Sequence, residues 1–205
     1  MRFAVIDLGT NTFNLLIAER SSDARFTKLF NTKIPVKLGD ISINAGYISE
    51  AAFQRGIKAL QDYGQYLKDY NVEQTLAFAT SAIRSASNGQ NFVDQAQELT
   101  GISISVIDGN EEADFIYYGN RMAVNMSKDI SLIMDIGGGS TEFILANNET
   151  VFWKESYLLG AARLLDRIKP SDPITQAEID TFNAHLKQEL SSLFEAATKY
   201  VPTEL

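Results

Sequence analysis

The strongest constraint on the fold of this chain is a glycine-rich segment between two short apolar stretches, residues 131–145, which read SLIMDIGGGSTEFIL. Short apolar runs bounded by turn residues are typical of buried strands. The pattern predicts a β-hairpin whose bend carries three glycines, with Asp135 before them and Glu142 after them. Glycines permit positive φ and close approach of a ligand, and successive N–H groups form an anion-binding concavity. A plain hairpin turn needs only one or two glycines, so we interpret the bend as a phosphate loop.

The same pattern occurs near the N-terminus, where residues 7–18 read DLGTNTFNLLIA. Residues 135–146, DIGGGSTEFILA, share with them the aspartate, an apolar residue and a glycine at the first three positions, and an apolar ending. The spacing of this repeat is too long for a solenoid unit and is that of a domain. We therefore expect two similar domains that face each other, each with one phosphate loop.

The rest of the chain predicts an α/β protein, because strands and helices alternate before residue 126. Pro35, inside the third predicted strand, indicates a sheet edge or a bulge. Ser49 is a good N-cap for the first helix, and Gly101 is a usual helix stop. Besides the arms of the second hairpin, strands are predicted at residues 2–8, 13–19, 26–38, 74–80, 102–107 and 149–157, and helices after Ser49 and at residues 91–99, 112–126, 160–168 and 176–200.

A domain boundary is predicted near residues 125–129. The first domain then spans residues 1–125 with its loop at residues 7–12, and the second spans residues 126–205 with its loop at residues 135–142. Fewer strands and helices follow residue 130 than precede it, which predicts either an abbreviated second domain or, as we favour, a second domain that is truncated at its C-terminus. We expect further strands beyond residue 205, in a longer protein.

Composition narrows the function classes. A net charge of −8 argues against a general nucleic-acid binder, which needs clustered Lys and Arg. The chain has no cysteine, which excludes disulfides and thiolate metal sites, and its single histidine, His185, is expected to be a surface residue. No apolar run reaches the length of a membrane span and no signal peptide is evident, so we expect a cytoplasmic protein without a membrane partner. The sequence leaves open whether the chain forms a homodimer.

Two phosphate loops on duplicated domains resemble the actin/hexokinase/Hsp70 superfamily. That resemblance implies duplicated actin-like (ribonuclease H-like) α/β domains, with mixed sheets flanked by helices and a cleft between the domains. Within the superfamily, the chain resembles the exopolyphosphatase / guanosine pentaphosphate phosphohydrolase (Ppx/GppA) family. The matching segments are DLGTNTF at 7–13, ATSAIR at 79–84, DGNEEA at 108–113, DIGGGSTE at 135–142 and LGAARL at 159–164. Thr10 and Thr12 replace the family's usual serines but keep the hydroxyl groups.

The resemblance implies that Glu112 is the general base that activates water for phosphoanhydride hydrolysis. A glutamate there also suits the first turn of a helix through the helix dipole. Arg84 is the candidate that contacts phosphate oxygens and offsets transition-state charge; a surface ion pair is the alternative. Lys37 is a weaker candidate for the same role.

The glycine loops are expected to bind phosphate through backbone and hydroxyl donors. Asp7, Asp135 and Glu142 are expected to hold Mg²⁺ or Mn²⁺, since such ions favour carboxylates together with substrate phosphates. The expected phosphate-binding residues are Gly9, Thr10, Asn11, Thr12, Gly137, Gly138, Gly139, Ser140 and Thr141.

Three functions follow from these residues. The first is a hydrolase that releases terminal phosphate from inorganic polyphosphate or guanosine pentaphosphate. The second is a sugar or acetate kinase of the same superfamily, in which the base is usually an aspartate. The third is a non-catalytic protein that binds alarmone nucleotides or polyphosphate, which would keep the glycine loops and lose the base. The segment NEEA at residues 110–113 favours hydrolysis.

Overall fold

A computed structural model describes residues 1–23, 25–40 and 43–204. The chain divides into two compact units, Met1–Ile107 and Asp108–Leu205. The sequence analysis placed the helix that follows Asp108 in the first domain, before a boundary near residue 125. The structure instead groups that helix with the second unit, because it packs on two strands of the second sheet.

The first unit contains a mixed five-stranded sheet in the order β3-β2-β1-β4-β5. The strands β1, β2 and β3 are antiparallel, whereas β4 pairs parallel to β1 and β5 pairs parallel to β4. Pro35 lies just after β3 rather than inside it, so it interrupts no ladder. The strands are β1 (Arg2–Leu8), β2 (Phe13–Arg20), β3 (Phe26–Ile34), β4 (Gln74–Ala79) and β5 (Ile104–Val106).

The helices α1 (Glu50–Asp69) and α3 (Gly89–Thr100) pack on each other and share a core with alternate residues of β1 and β2. A short helix, α2 (Ser81–Ser85), follows β4. The caps of α1 and α3 are those predicted. The Ser49 hydroxyl accepts a hydrogen bond from the N–H of Ala52, and Gly101 takes the left-handed conformation at the end of α3.

The second unit contains an antiparallel sheet of β6 (Ser131–Ile136), β7 (Thr141–Ala146) and β8 (Val151–Tyr157). Helix α4 (Gly109–Ala123) packs on β7 and β8, and alternate residues Ile144 and Ala146 of β7 face it. The C-terminal helix also packs on these strands, so β7 is buried along its whole length.

Two further helices connect β8 to the C-terminal helix, namely α5 (Ala161–Ile168) and α6 (Gln176–Glu189). The C-terminal helix itself is α7 (Ser191–Tyr200). The single helix predicted over residues 176–200 is therefore two helices, which meet at Leu190. None of the helices in the described ranges has the length and apolarity that a membrane crossing would need.

Candidate functional site

The second glycine bend joins β6 to β7 as predicted, with Asp135 opposite Glu142 and Ile136 opposite Thr141. In the described ranges, the glycines with positive φ are Gly46 and Gly101, which lie outside this bend. The glycines of the bend therefore allow close approach of the backbone rather than left-handed geometry. A Cβ on Gly137 would lie 3.0 Å from the carbonyl oxygen of Ser140. A side chain at the first position of the bend would therefore press on that carbonyl oxygen.

The bend packs against the N-terminus of α5. A Cβ on Gly160, the N-cap of α5, would lie 2.4 Å from the backbone of Gly138 and Gly139. In the described part of the chain, the N–H groups of these two loop glycines donate to no protein acceptor. Those two N–H groups are donors that a phosphate can accept.

The polar side chains of this loop have different environments. Ser140 is only 2% exposed. Thr141 is also buried, and its hydroxyl donates to the carbonyl of Leu159 at 3.0 Å. That bond ties the Thr141 hydroxyl to the fold, so the structure gives no support to this hydroxyl as a phosphate donor.

Two carboxylates lie on one side of the second sheet. Residues directly opposite on paired strands share a face, so Asp135 and Glu142 point to the same side. Asp135 is exposed, whereas Glu142 is 1% exposed. The Ser156 hydroxyl, across the next pair of strands, donates to Oε1 of Glu142 at 2.6 Å. Glu142 is therefore a buried, oriented carboxylate.

Helix α4 begins on the same side of the sheet. A Cβ on Gly109 would lie 2.4 Å from the Cβ of Ser156, so the helix start lies directly against β8. Residues three positions apart share a helix face, so Glu112 lies on the face of Gly109. The second unit thus brings Glu112, Asp135 and Glu142 to one side of its sheet.

The two neighbouring glutamates of α4 have different roles. Asp108 caps the helix, accepting from the N–H groups of Asn110 and Glu111. Glu111 returns the interaction, since its Oε2 accepts from the N–H of Asp108 at 2.9 Å. This capping box occupies Glu111 in the helix end. Glu112 is half-buried and takes no part in it.

The first glycine bend has the same backbone plan. Asp7 lies opposite Asn14 and Leu8 opposite Phe13, and a Cβ on Gly9 would lie 2.9 Å from the carbonyl oxygen of Thr12. The Asn14 side-chain amide donates to Oδ2 of Asp7 at 3.0 Å. The internal repeat seen in the sequence is therefore a repeat of structure.

Within the first bend, Asn11 is exposed and Thr12 half-buried. Thr10 is buried, and its methyl carbon would meet a Cβ on Gly39 at 2.5 Å. Packing thus accounts for the Thr10 side chain. Phosphate contact by Thr10, Asn11 and Thr12 stays a prediction.

A second segment, residues 35–40, lies against this first bend. The N–H of Lys37 donates to the carbonyl of Asn11 at 2.8 Å, and Lys37 holds a left-handed φ of 52°. Arg55 of α1 fixes the segment from behind by donating to the carbonyls of Val36 and Lys37. A left-handed lysine costs backbone energy, and here it keeps an exposed cation beside the first bend.

Arg84 lies at the same sheet edge as the first bend, because β1, β4 and β5 are parallel and their carboxyl ends meet there. Its Nη1 donates to the carbonyl of Ile107 at 2.8 Å. Arg84 therefore holds the end of β5 as well as being the candidate phosphate contact.

The carboxylates suit a divalent ion that takes most of its ligands from water molecules and substrate phosphates. No group of three or more Asp, Glu, His or Cys side chains that could enclose a metal is present in the described ranges. Mg²⁺ is commonly held by one or two carboxylates with waters and substrate phosphates rather than by an all-protein cage. Asp135 and Glu142, beside a phosphate loop, match that donor set.

Comparison with known proteins defines the family. The model of the Ppx/GppA phosphatase family matches residues 16–205, so the chain belongs to this family. The predicted fold class is confirmed as well, with mixed α/β sheets flanked by helices as in actin-like proteins. A crystal structure of an exopolyphosphatase from Cytophaga hutchinsonii is 39% identical with a TM-score of 0.97, and covers 99% of this chain and 65% of that one.

Two curated relatives are similar in sequence. Exopolyphosphatase 1 of Mycobacterium bovis is 27% identical over 202 residues, 97% of this chain and 59% of the relative. A bifunctional 3-dehydroquinate synthase/phosphatase of Fusobacterium nucleatum subsp. nucleatum is 35% identical over 171 residues, 80% of this chain and 26% of the relative. The chain therefore spans less than two thirds of each of these relatives.

Three residues of the site were not singled out in the sequence analysis, namely Ser156, Gly109 and Arg163. Ser156 belongs to no sequence motif. It matters because strand pairing places it opposite Glu142. Gly109 stood inside a matched segment but had no assigned role. Arg163 stood in the segment LGAARL, whose contact with the glycine loop only the fold reveals.

Proposed function

We propose that the chain is the part of a phosphoanhydride hydrolase that releases terminal phosphate from inorganic polyphosphate. The observation that supports the proposal is that α4, the helix that bears Glu112, begins against Ser156 of β8, on the side of the sheet that Asp135 and Glu142 share. Membership of the Ppx/GppA phosphatase family and the named exopolyphosphatases among its relatives support a phosphate-chain substrate.

In this mechanism the second glycine bend binds the terminal phosphate through the N–H groups of Gly138 and Gly139. Glu112 takes a proton from a water molecule, whose oxygen attacks the terminal phosphorus. The bridging P–O bond breaks, and the products are inorganic phosphate and a chain one phosphate shorter. Arg84 is proposed to contact the transferring phosphoryl oxygens, where a guanidinium offsets charge in the transition state.

Asp7, Asp135 and Glu142 are proposed to hold Mg²⁺ or Mn²⁺, with Asp135 as the exposed member of the facing pair. Ppx/GppA phosphatases are generally dependent on divalent metals. A bound divalent ion would offset the charge of the phosphate chain and of the carboxylates. The need for such charge is large, because the chain carries a net charge of −8.

Guanosine pentaphosphate is the second candidate substrate, since it carries the same kind of anhydride bond. Phosphate release from polyphosphate, from guanosine pentaphosphate and from ATP with or without sugars separates the candidates. We expect release from polyphosphate without a sugar acceptor. Transfer to a sugar alone would establish a kinase, and tight binding without release would establish a binding protein. The cytoplasmic location and a homodimer stay predictions.

A further inference from the structure

The first turn of α5 holds the second glycine bend through its carbonyl groups. The N–H of Ala161 donates to the carbonyl of Gly137 at 2.9 Å, and the N–H of Ala162 donates to that of Gly138 at 2.9 Å. The side-chain Nε of Arg163 donates to the carbonyl of Gly139 at 3.0 Å. Three consecutive glycine carbonyls therefore point at one helix end.

This arrangement fixes the opposite side of each peptide. In a trans peptide the N–H points away from the C=O of the same unit. The carbonyls of Gly137, Gly138 and Gly139 share their peptides with the N–H groups of Gly138, Gly139 and Ser140. Because α5 takes the carbonyls, those N–H groups face away from the helix, as a phosphate site requires.

The N-terminus of α5 is not itself the anion site. The first N–H groups of a helix lack partners within the helix, and here the loop carbonyls accept from Ala161, Ala162 and the backbone of Arg163. The positive end of the helix dipole and the Arg163 guanidinium therefore lie behind the loop peptides. Hydrogen bonds in a chain polarise one another, so the loop N–H groups become stronger donors.

We propose that Arg163 is a positioning residue of this phosphate loop, which it holds together with the first turn of α5. Gly160 is the second requirement, because any side chain there would meet the backbone of Gly138 and Gly139 at 2.4 Å. The proposal rests on the proposed function for the identity of the anion. It deepens that function by separating residues that shape the loop from Glu112, which acts on water.

Kinetic constants should distinguish a residue that shapes the loop from one that acts on water. A loop that binds phosphate in substrate and transition state alike affects KM more than kcat, whereas a base affects kcat. We expect Arg163→Ala to raise KM for polyphosphate roughly tenfold, as loss of a hydrogen bond from a charged donor would, with little change in kcat. Arg163→Lys should recover part of the loss, since an ammonium can still donate to a carbonyl.

Arg167→Ala is the matched control. Arg167 lies on the same helix and carries the same charge, but its Nη1 lies 2.8 Å from Nε2 of His185. A long-range charge effect would appear in both arginine variants, whereas positioning appears only in Arg163→Ala. Gly160→Ala should also raise KM, while Gly119→Ala in α4, whose Cβ would meet nothing within 4 Å, should not.

A second measurement does not depend on turnover. The amides of Gly137, Ala161 and Ala162 are protected by bonds within the bend and between the bend and α5, and NMR-detected hydrogen exchange follows them in the complete protein. Arg163→Ala should speed their exchange and Arg167→Ala should not. Equal exchange and equal KM in the two variants would overturn the role of Arg163. If the wild type releases no phosphate from polyphosphate, the proposed function fails, and the exchange result still decides the positioning role.

Discussion

The two glycine hairpins share a backbone plan and differ in the residue opposite the aspartate. Both have an aspartate in the first strand and a first glycine whose Cβ would lie very near a carbonyl oxygen, at 2.9 Å in one and 3.0 Å in the other. Opposite Asp7 stands Asn14, an exposed amide that donates to it. Opposite Asp135 stands Glu142, which is buried and accepts from Ser156.

This difference separates two kinds of site. An amide opposite an aspartate orients the carboxylate without adding charge. Two carboxylates on one side of a sheet repel each other, and a cation between or beside them removes that cost. We therefore expect the second hairpin to be the main metal and reaction centre, and the first to bind and orient the phosphate chain.

The largest effect expected from a residue of the first unit tests whether that unit also takes part in chemistry. Arg84→Ala should lower kcat for phosphate release by roughly 10³-fold, the lower end of the range for an arginine that stabilises phosphoryl transfer. Arg84→Lys should not fully restore kcat, because the planar fork is lost. If Arg84→Ala lowers the thermal stability but leaves the kinetics unchanged, Arg84 has a structural role, through its bond with the Ile107 carbonyl, and no catalytic one.

The next effect compares the two aspartates directly. Asp135→Asn should raise the Mg²⁺ or Mn²⁺ concentration for half-maximal activity at least roughly tenfold, since even residues behind the ligands of a metal change affinity by that much. Asp7→Asn should change it less, because Asn14 already supplies a neutral partner. Direct Mn²⁺ binding by electron paramagnetic resonance gives a readout without turnover. Equal shifts in both variants would remove the distinction between the hairpins.

A buried hydroxyl group anchors each hairpin through a backbone carbonyl, and these two anchors should matter equally. Tyr63 donates to the carbonyl of Phe13 at 2.7 Å, and Thr141 donates to that of Leu159 at 3.0 Å. Tyr63→Phe and Thr141→Val should each lower the free energy of unfolding by about 1–3 kcal/mol, because a buried carbonyl loses its donor. Tyr47→Phe, at an exposed position, is the control. Urea denaturation measures all three.

The smallest effect concerns alkaline pH. Burial raises the pKa of Tyr63 in the first unit and of Tyr157 in the second to about 12 each. A tyrosine whose pKa is higher in the folded state than the unfolded value of about 10 contributes stability that is fully present below pH 10. That contribution is lost as the pH rises toward 12. Tyr63→Phe should flatten the decline in unfolding free energy over this interval. An unchanged slope would contradict the raised pKa.

The sequence could predict features carried by local patterns. The paired DxG segments predict both hairpins, Ser49 and Gly101 predict helix ends, and family motifs predict the fold class. Residues that act through register or packing left no such pattern. Ser156 matters because β8 places it opposite Glu142, and α4 joined the second unit through contacts on β7 and β8. The split at Leu190 was missed because residues 176–200 lack an interior proline or glycine.

The central claim is that water is activated from the second unit by Glu112. The direct measurement is kcat for phosphate release by Glu112→Gln beside Glu111→Gln, with polyphosphate binding measured on both variants. A positioned general base contributes about 10²–10⁴-fold, so Glu112→Gln should lose that much and still bind. Glu111→Gln should retain activity, because glutamine preserves the capping box. Loss of activity in Glu111→Gln alone, or in neither variant, would contradict the account.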